Sequence, residues 1–273
     1  MSETTSYSEV AGTGARHEPV LARYPELAGR VAIVTGAAGG IGTAFVEGLS
    51  AQGVHVLAAD LDISQIKQLD SSPRDAGTAG SVKPYGIDVT SPKENAALVT
   101  TAAAEYGRLD FFIGNAGIYP SGTAFEVGPE QLLRTIDVNV AGLMAGAQAA
   151  AEIMQPGSAI VTMSSVNATK ARQGRLSYSI SKAAVEHLTR ALAVDYADRG
   201  IRVNAIAPGF VDTAMTSWAK NDPRVLTEVL KGIPMHRAGS PTEILGVLLF
   251  LLSDSARYVT GHSLVADGGS LLT

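Results

Sequence analysis

The chain has no cysteine among its 273 residues. That absence excludes a disulfide framework, a catalytic thiolate, cysteine-ligated zinc and iron–sulfur clusters. Charge is also scarce, at 17% of the residues, and 21 basic side chains against 26 acidic ones give a formal net charge of −5. This balance argues against a nucleic acid as partner and against a basic membrane-binding surface. The longest strongly apolar run, 247–252, is too short to span a bilayer.

What the sequence does have is a large apolar fraction, 46%, and 29 glycines. Such a fraction excludes disorder for most of the chain and supports a large core. The polar segment 1–28 is the exception, and we predict a flexible N-terminal arm there, with packing on a neighbouring subunit as the alternative. The segment lacks the basic start and apolar core of a secretory signal, so we expect a cytoplasmic protein.

From residue 30 onward, short apolar runs alternate with segments of helical length. The predicted strands are 30–35, 54–59, 82–87, 109–114, 159–163, 201–206 and 263–266, and the predicted helices are 40–53, 92–107, 129–154, 178–199 and 241–252. Continuous apolar runs of this length are typical of parallel strands buried on both faces. The alternation predicts one α/β domain, 29–273, with a doubly wound, mainly parallel seven-stranded sheet and helices on both faces. The polar connection at about 210–235 is predicted to be a substrate loop, with a surface helix pair as the alternative.

A glycine-rich turn, Thr35-Gly-Ala-Ala-Gly-Gly-Ile-Gly42, joins the first predicted strand to the first helix. Glycine lets backbone N–H groups approach a pyrophosphate, and the helix N-terminus behind them adds partial positive charge. Asp60, at the end of the second strand, can accept hydrogen bonds from the adenosine ribose and would repel the 2′-phosphate of NADP. No Lys or Arg at 37, 38, 61 or 62 offsets that repulsion. The sequence therefore predicts NAD as cofactor, although an Asp that caps a helix is the alternative for Asp60.

A second pattern indicates proton-transfer chemistry. Tyr178 is the one tyrosine of eight that is followed four residues later by a lysine, Lys182. Residues at this spacing share one face of a helix, so a phenol and an ammonium lie side by side. The pair follows the strand 159–163, whose carboxyl end carries Ser164 and Ser165. Ligands of open α/β sheets bind beyond the carboxyl ends of the strands.

Together these motifs resemble the short-chain dehydrogenase/reductase family of the TGxxxGxG and YxxxK type. The resemblance covers about 27–273 and includes TGAAGGIG at 35–42, Asp88-Val89, Asn115-Ala116-Gly117, Asn139, Ser165, Tyr178 with Lys182, and Pro208-Gly209 with Thr213. It implies a Rossmann-like fold and hydride transfer between NAD and an alcohol or carbonyl carbon.

The resemblance also implies the catalytic set: Asn139, Ser165, Tyr178 and Lys182. Tyr178 would exchange a proton with the substrate oxygen, Ser165 would hydrogen-bond that oxygen, and Asn139 would hold a water that relays protons to Lys182. A lysine charge about 4 Å away is expected to lower the pKa of Tyr178 from about 10 towards 7. The alternatives are a strand-end turn residue for Ser165 and a structural hydrogen-bonder for Asn139.

The implied cofactor contacts lie at the ends of successive strands and at the helix starts that follow them: Gly36, Gly39, Gly40, Ile41, Asp60, Leu61, Asp88, Val89, Asn115, Ala116, Gly117, Tyr178, Lys182, Pro208, Gly209, Val211 and Thr213. Asp88 is expected near the adenine amino group, with a helix cap as its alternative. The five histidines are scattered and lack metal-ligand spacing, so we expect no metal.

By family position, the substrate would meet Ser165, Asn167, Gln173, Tyr178, Phe210, Met215 and Trp218, with Ile118 and Tyr119 nearby. These residues favour a hydrophobic secondary alcohol or ketone as the small-molecule partner. Lys170, Arg172 and Arg175 could contact an anionic substrate or form a solvated rim. A cyclic diol or steroid-like substrate, and a non-catalytic NAD-binding protein, are the competing functions. The resemblance further implies a homotetramer or a homodimer.

Overall fold

The fold is given by a computed structural model that describes residues 21–64, 66 and 80–273. Its sheet has seven strands in the order β3-β2-β1-β4-β5-β6-β7, and every neighbouring pair is parallel. The strands are β1 (Val31–Thr35), β2 (His55–Asp60), β3 (Val82–Gly86), β4 (Phe111–Gly114), β5 (Ala159–Met163), β6 (Arg202–Pro208) and β7 (Ser263–Ala266). The predicted seven-stranded doubly wound sheet is confirmed.

The strand order reverses between β1 and β4. The chain first adds β2 and β3 on one side of β1 and then returns to place β4 on the other side. All residues of β1 and β5 are buried, because helices cover both faces of the sheet. In an open α/β sheet the crevice at such a reversal, beyond the carboxyl ends of the strands, is where ligands bind.

Eight helices of the described residues flank the sheet: α1 (Gly40–Ala51), α2 (Pro92–Tyr106), α3 (Pro129–Ile136), α4 (Leu143–Ile153), α5 (Leu176–Tyr196), α6 (Ser217–Lys220), α7 (Pro223–Lys231) and α8 (Pro241–Leu252). One core layer packs α1 and α8 on the sheet, with Phe45 and Leu248 fully buried. The other layer packs α2, α4 and α5, with Leu98 and Ala147 fully buried. None of these helices is long and apolar enough to cross a membrane.

Local signals fix several helix ends. Ser91 Oγ accepts from the Glu94 N–H to begin α2, and Gly107, with φ of 71°, ends it in the left-handed conformation. Ser240 and Glu243 form a reciprocal capping box at the start of α8. These caps explain why the predicted ends of both helices lie within one residue of the observed ones.

The structure departs from the predicted elements in three places. The helix predicted at 129–154 contains a π-helical turn, Asp137–Gly142, between α3 and α4. The segment 210–235 forms the helix pair α6 and α7, which was the alternative to a loop. Residues 21–28 of the predicted arm pack on the domain, since Leu27 is buried and the Tyr24 N–H donates to Gln52 Oε1 at 3.0 Å. The first 20 residues of the arm lie outside the described residues.

A buried carboxylate, Asp110, ties β1 to β4 at the amino ends of the strands. It accepts hydrogen bonds from the Val31 N–H at 2.9 Å, from Arg30 Nη1 at 2.8 Å, and from Arg108 Nε and Nη2 at 2.8 and 2.6 Å. A carboxylate with this many donors is stabilised in the buried position that it occupies. Asp110 therefore fixes the relative placement of the two central strands.

We expect Asp110→Ala to lower the free energy of unfolding by about 2–3 kcal/mol, because a buried N–H and two guanidinium groups lose their shared acceptor. Denaturant unfolding would measure the change. Glu228→Ala is the matched control, since the exposed Glu228–Lys231 pair should contribute less than about 0.5 kcal/mol. Equal losses in the two variants would contradict the role given to Asp110.

Candidate active site

The predicted site residues meet at one edge of the sheet. The glycine turn follows β1, Asn115–Gly117 follows β4, Ser164 and Ser165 follow β5, and Pro208 ends β6. Because parallel strands point the same way, their carboxyl ends gather these segments around the reversal between β1 and β4.

The glycine turn is held tightly against the end of β4. Gly36 has φ of 65°, and a Cβ built there would lie 2.7 Å from Ala116 Cα. A Cβ at Gly42 would lie 2.1 Å from the Gly36 carbonyl oxygen. Only glycine fits at either position, because backbone rather than a mobile side chain fills the space.

The same turn offers backbone donors to an anion. Gly39 is the N-cap of α1 and no side chain caps the helix, so the first N–H groups of α1 are left for another acceptor. A Cβ at Gly39 would meet nothing nearer than the Gly36 carbonyl oxygen, 3.6 Å away. The Thr213 methyl group lies against Gly40 from the opposite side. These features fit the pyrophosphate of a dinucleotide cofactor.

Asp60 lies at the end of β2 and faces the turn. Its Oδ2 accepts from the Ala38 N–H at 2.9 Å, and its Oδ1 accepts from the Asp62 N–H at 3.2 Å. No salt bridge engages Asp60 among the described residues. Each carboxylate oxygen keeps a lone pair for a ribose hydroxyl. The exposed side chain of Leu61 follows at the same edge.

Asp88 shapes the loop before α2 but does not cap that helix. Its Oδ1 accepts from the Thr90 N–H and hydroxyl, at 2.9 and 2.7 Å, while Ser91 provides the cap. The hydrogen bonds from Thr90 hold the pKa of Asp88 below its usual range. The contact of Asp88 with adenine stays a prediction. The neighbouring Val89 carbonyl accepts from Asn95 Nδ2 and lies against Gly142.

Two of the predicted cofactor residues have clear structural roles. Asn115 Nδ2 donates to the carbonyl oxygens of Thr35 and Gly36, at 3.1 and 2.8 Å, and so fixes the start of the glycine turn. Gly209 accommodates the backbone of Asp267, since a Cβ there would lie 2.7 Å from Asp267 Cα. Val211, predicted with them, is buried in the core beside the sheet.

The structure brings Ser165, Tyr178 and Lys182 together. Tyr178 and Lys182 lie on α5 with relative exposures of 8% and 5%, and the Ser165 hydroxyl lies close enough to favour the Tyr178 phenolate. Lys182 Nζ donates to the Met163 carbonyl oxygen at 2.7 Å and lies 5.6 Å from the centroid of the Tyr178 ring. Ser164 has a different role, since its hydroxyl donates to Glu186 Oε1.

Burial disfavours charge on the side chains of both Tyr178 and Lys182. It raises the pKa of Tyr178 to about 12, against a smaller opposing effect from the nearby Ser165 hydroxyl, and it lowers the pKa of Lys182 to about 8. The expected lowering of the Tyr178 pKa by Lys182 is therefore not seen in this structure. The physical reason is that the ammonium is directed to the Met163 carbonyl and is itself desolvated.

Asn139 is buried inside the π-helical turn and hydrogen-bonds to two segments. Its Oδ1 accepts from the Ile118 N–H at 2.8 Å, and its Nδ2 donates to the Ile118 carbonyl and to Ser181 Oγ, both at 3.0 Å. These bonds match the structural alternative for Asn139, and the water relay stays a prediction. Sequence reasoning missed Ser181, although its spacing of three residues from Tyr178 places both on one helix face.

The predicted substrate residues fall into two groups. Asn167 is buried beside the catalytic set, where its N–H donates to Ser165 Oγ at 3.2 Å. Trp218, 42% exposed, lies in α6, and Met215, 48% exposed, lies in the 3-10 turn just before it. Gln173 is exposed and lines a cavity of about 690 Å³ between the 170–173 segment and α7, which none of the catalytic residues lines. Phe210 is half-buried after β6.

Comparisons with known proteins agree with this geometry. A family model described as Enoyl-(Acyl carrier protein) reductase matches residues 36–270. The 3-oxoacyl-[acyl-carrier-protein] reductase FabG of Thermotoga maritima is 36% identical over 90% of this chain and 99% of its own length. The cis-4-hydroxycyclohexanecarboxylate dehydrogenase of Sinomonas cyclohexanicum is 39% identical over 88% of this chain and 96% of its own.

A solved structure described as a putative short-chain alcohol dehydrogenase from Sinorhizobium meliloti superimposes with a TM-score of 0.84 at 35% identity. The superposition covers 90% of this chain and 98% of that one. The chain belongs to the short-chain dehydrogenase/reductase family. Its relatives are oxidoreductases that act on small molecules, and the family generally binds NAD(P).

We expect Lys182 to titrate near pH 8 in the free protein, well below the ordinary lysine value of about 10.4, because burial disfavours the ammonium. The lysine is thus protonated below pH 8 and neutral above it. Carbon-13 NMR of the lysine ε-methylene groups measures the titration, and Lys182→Met identifies the signal. A Lys182 signal that titrates at the ordinary lysine value of about 10.4 would contradict the desolvated environment.

Proposed function

We propose that this protein is an NAD-dependent oxidoreductase that transfers hydride between NAD and a secondary alcohol or ketone. One observation carries the proposal: a buried Tyr178, close to the Ser165 hydroxyl and beside Lys182, lies on the sheet edge that also holds the uncapped glycine turn. A phenol, a hydroxyl and an ammonium at this edge suit removal or return of an alcohol proton.

The residues that would hold the cofactor are those described around the turn. The first N–H groups of α1 suit the pyrophosphate, and Asp60 suits the adenosine ribose. When bound, NAD supplies the carbon that accepts or gives up hydride. The preference for NAD over NADP rests on the Asp60 carboxylate, which has no cation beside it among the described residues to receive a 2′-phosphate.

In the oxidation direction the alcohol proton passes to the Tyr178 oxygen as the adjacent carbon loses hydride. Ser165 donates to the substrate oxygen and stabilises negative charge there. Because burial raises the pKa of Tyr178 to about 12, the phenolate needs positive charge close by when substrate and cofactor are bound. Lys182 is the nearby protein cation for this purpose, and the oxidised nicotinamide carries a second positive charge.

The residues around the site favour a substrate with an apolar body. An aromatic ring, that of Tyr119, lies against Tyr178. Further aromatic or thioether side chains lie on the segment after β6: Phe210, Met215 and Trp218. A cyclic substrate is the second candidate, and the Sinomonas relative, whose name specifies a ring-bound alcohol, favours it. A non-catalytic NAD-binding role is disfavoured because the whole catalytic set is present and assembled.

A homotetramer, or at least a dimer, stays part of the proposal, as does a cytoplasmic location. Apolar side chains exposed on α3, α4 and α5 support an oligomer: Leu133, Met144, Leu176, Ile180 and Val194. Light scattering with size-exclusion chromatography would give the oligomeric state.

Tyr178→Phe should reduce turnover by at least about a thousandfold, because the phenol is the proton-exchanging group. NAD binding should change little, since the ring is retained. NADH absorbance measures turnover and calorimetry measures NAD binding. Tyr258→Phe, at a fully exposed tyrosine, is the matched control and should keep full activity. Turnover that survives in Tyr178→Phe would overturn the mechanism.

The wild-type protein should use NAD in preference to NADP, and Asp60→Asn should raise kcat/KM for NADP by about tenfold or more, equivalent to about 1.4 kcal/mol. Removing the carboxylate charge removes its repulsion of the 2′-phosphate while an oxygen remains for the Ala38 N–H. Asp62→Asn, two residues away, is the control and should have a smaller effect. A wild-type preference for NADP would contradict the assignment.

A further inference from the structure

Three basic residues, Lys170, Arg172 and Arg175, precede Tyr178 in the sequence. The sequence leaves open whether they form a solvated rim or an anion site, and the structure gives them different surroundings. Lys170 Nζ donates to the carbonyl oxygens of Ser270 and Thr273, and Arg172 Nη2 donates to Ser270 Oγ. Both side chains are thus hydrogen-bonded to residues 270–273. Arg175 lies elsewhere, at the start of α5.

Arg175 is half-buried between two aromatic rings. Its guanidinium carbon lies 4.3 Å from the centroid of the Tyr119 ring and 5.2 Å from that of the Trp218 ring. Its Nε donates to the Tyr119 hydroxyl at 2.5 Å, and its Nη1 donates to the Gly174 carbonyl at 3.2 Å. These contacts fix the plane and direction of the guanidinium.

The charge of this guanidinium is not balanced. None of the salt bridges among the described residues includes Arg175, and Nη2 has no hydrogen-bond partner there. A partly desolvated cation is costly unless an anion accompanies it. The planar fork of an arginine matches the two oxygens of a carboxylate or a related oxyanion.

Arg175 also lies close to the catalytic tyrosine. The Tyr119 ring that it contacts meets the Tyr178 ring edge-on, with centroids 4.5 Å apart. Trp218, on its other side, belongs to α6 in the predicted substrate segment. A molecule whose reacting oxygen meets Tyr178 can therefore place a charged group at Arg175 with only a few bonds between the two.

We propose that Arg175 is the specificity-determining residue of the substrate site and that the substrate carries an oxyanion, a carboxylate above all, a few bonds from the carbon that is oxidised. The inference rests on the proposed function and narrows it from secondary alcohols in general to hydroxy acids with an apolar body.

The first test compares β-hydroxybutyrate and γ-hydroxyvalerate with their methyl esters as substrates with NAD. The acids should exceed their esters in kcat/KM by at least about tenfold, the effect of one charge-assisted hydrogen bond. Arg175→Gln should raise KM for the acids by about 10- to 100-fold. The same change should alter KM for the esters by less than about threefold. If Arg175 had only a structural role, Arg175→Gln would change KM for the acids and for the esters by the same factor.

Two further variants sharpen this test. Arg175→Lys keeps the charge and loses the planar fork, so it should recover part of the preference for acids. Arg172→Gln, the matched control at an arginine bound to Ser270, should leave the acid-to-ester ratio unchanged. Hydroxyalkyl sulfonates of the same length distinguish a site for carboxylates from one for any oxyanion.

The second test does not depend on turnover. Trp218 is the single tryptophan of the chain and lies against Arg175, so its emission reports an anion bound there. Acetoacetate and levulinate should change the emission saturably, their methyl esters should not, and Arg175→Gln should weaken the acid response by at least about tenfold.

The outcomes separate the two proposals. One outcome is that neutral secondary alcohols reduce NAD as well as the hydroxy acids do, and that neither acetoacetate nor levulinate changes the Trp218 emission. That outcome overturns the inference about Arg175 while the proposed function stands. If no alcohol or acid reduces NAD, the proposed function fails, and the emission titration alone decides whether Arg175 binds an anion.

Discussion

The close approach of two backbones at the carboxyl edge of β1 and β4 is the constraint on which the site depends. Gly36 lies so near Ala116 that a single added Cβ would collide with the Ala116 backbone. The Asn115 side chain holds the carbonyls of Thr35 and Gly36, while Thr35 Oγ1 accepts the N–H groups of Asn115 and Ala116. This contact puts the glycine turn directly beside the segment Asn115–Gly117 that follows β4.

From that contact a hydrogen-bonded path continues to α5, the helix of Tyr178 and Lys182. Asn139 holds both backbone groups of Ile118, just beyond Gly117, and reaches Ser181, whose hydroxyl donates to the Tyr178 carbonyl at 2.7 Å. The π-helical turn places Asn139 at this junction. Such turns are rare and are found frequently at functional sites, which fits a position where three segments must meet. Buried polar groups whose hydrogen bonds are satisfied favour a single arrangement of the segments that they join.

Burial of Tyr178 and Lys182 has an electrostatic consequence. Burial opposes both the tyrosinate and the ammonium, so neither charge is stabilised by the protein alone. The Lys182 contact with the Met163 carbonyl satisfies the amine without pairing it with the phenol. The spacing of the two residues predicts that Lys182 lies near enough to lower the pKa of Tyr178. Spacing on a helix, however, shows only that two side chains share a face. The direction in which a long side chain points depends on the acceptors that the tertiary fold provides.

The sequence by itself determined the strands, most helix ends, the sheet-edge position of Asp60, Ser165 and Tyr178, and the family, because hydrophobic runs, caps and short motifs are local signals. Only the tertiary structure decided which neighbours each polar group acquired. It assigned Asn139 to Ile118, the helix cap to Ser91 rather than Asp88, Gln173 to a separate cavity, and Arg175 alone of three basic residues to the aromatic pair beside Tyr178. These outcomes depend on contacts between residues distant in sequence, and a one-dimensional pattern contains no information on their distances or burial.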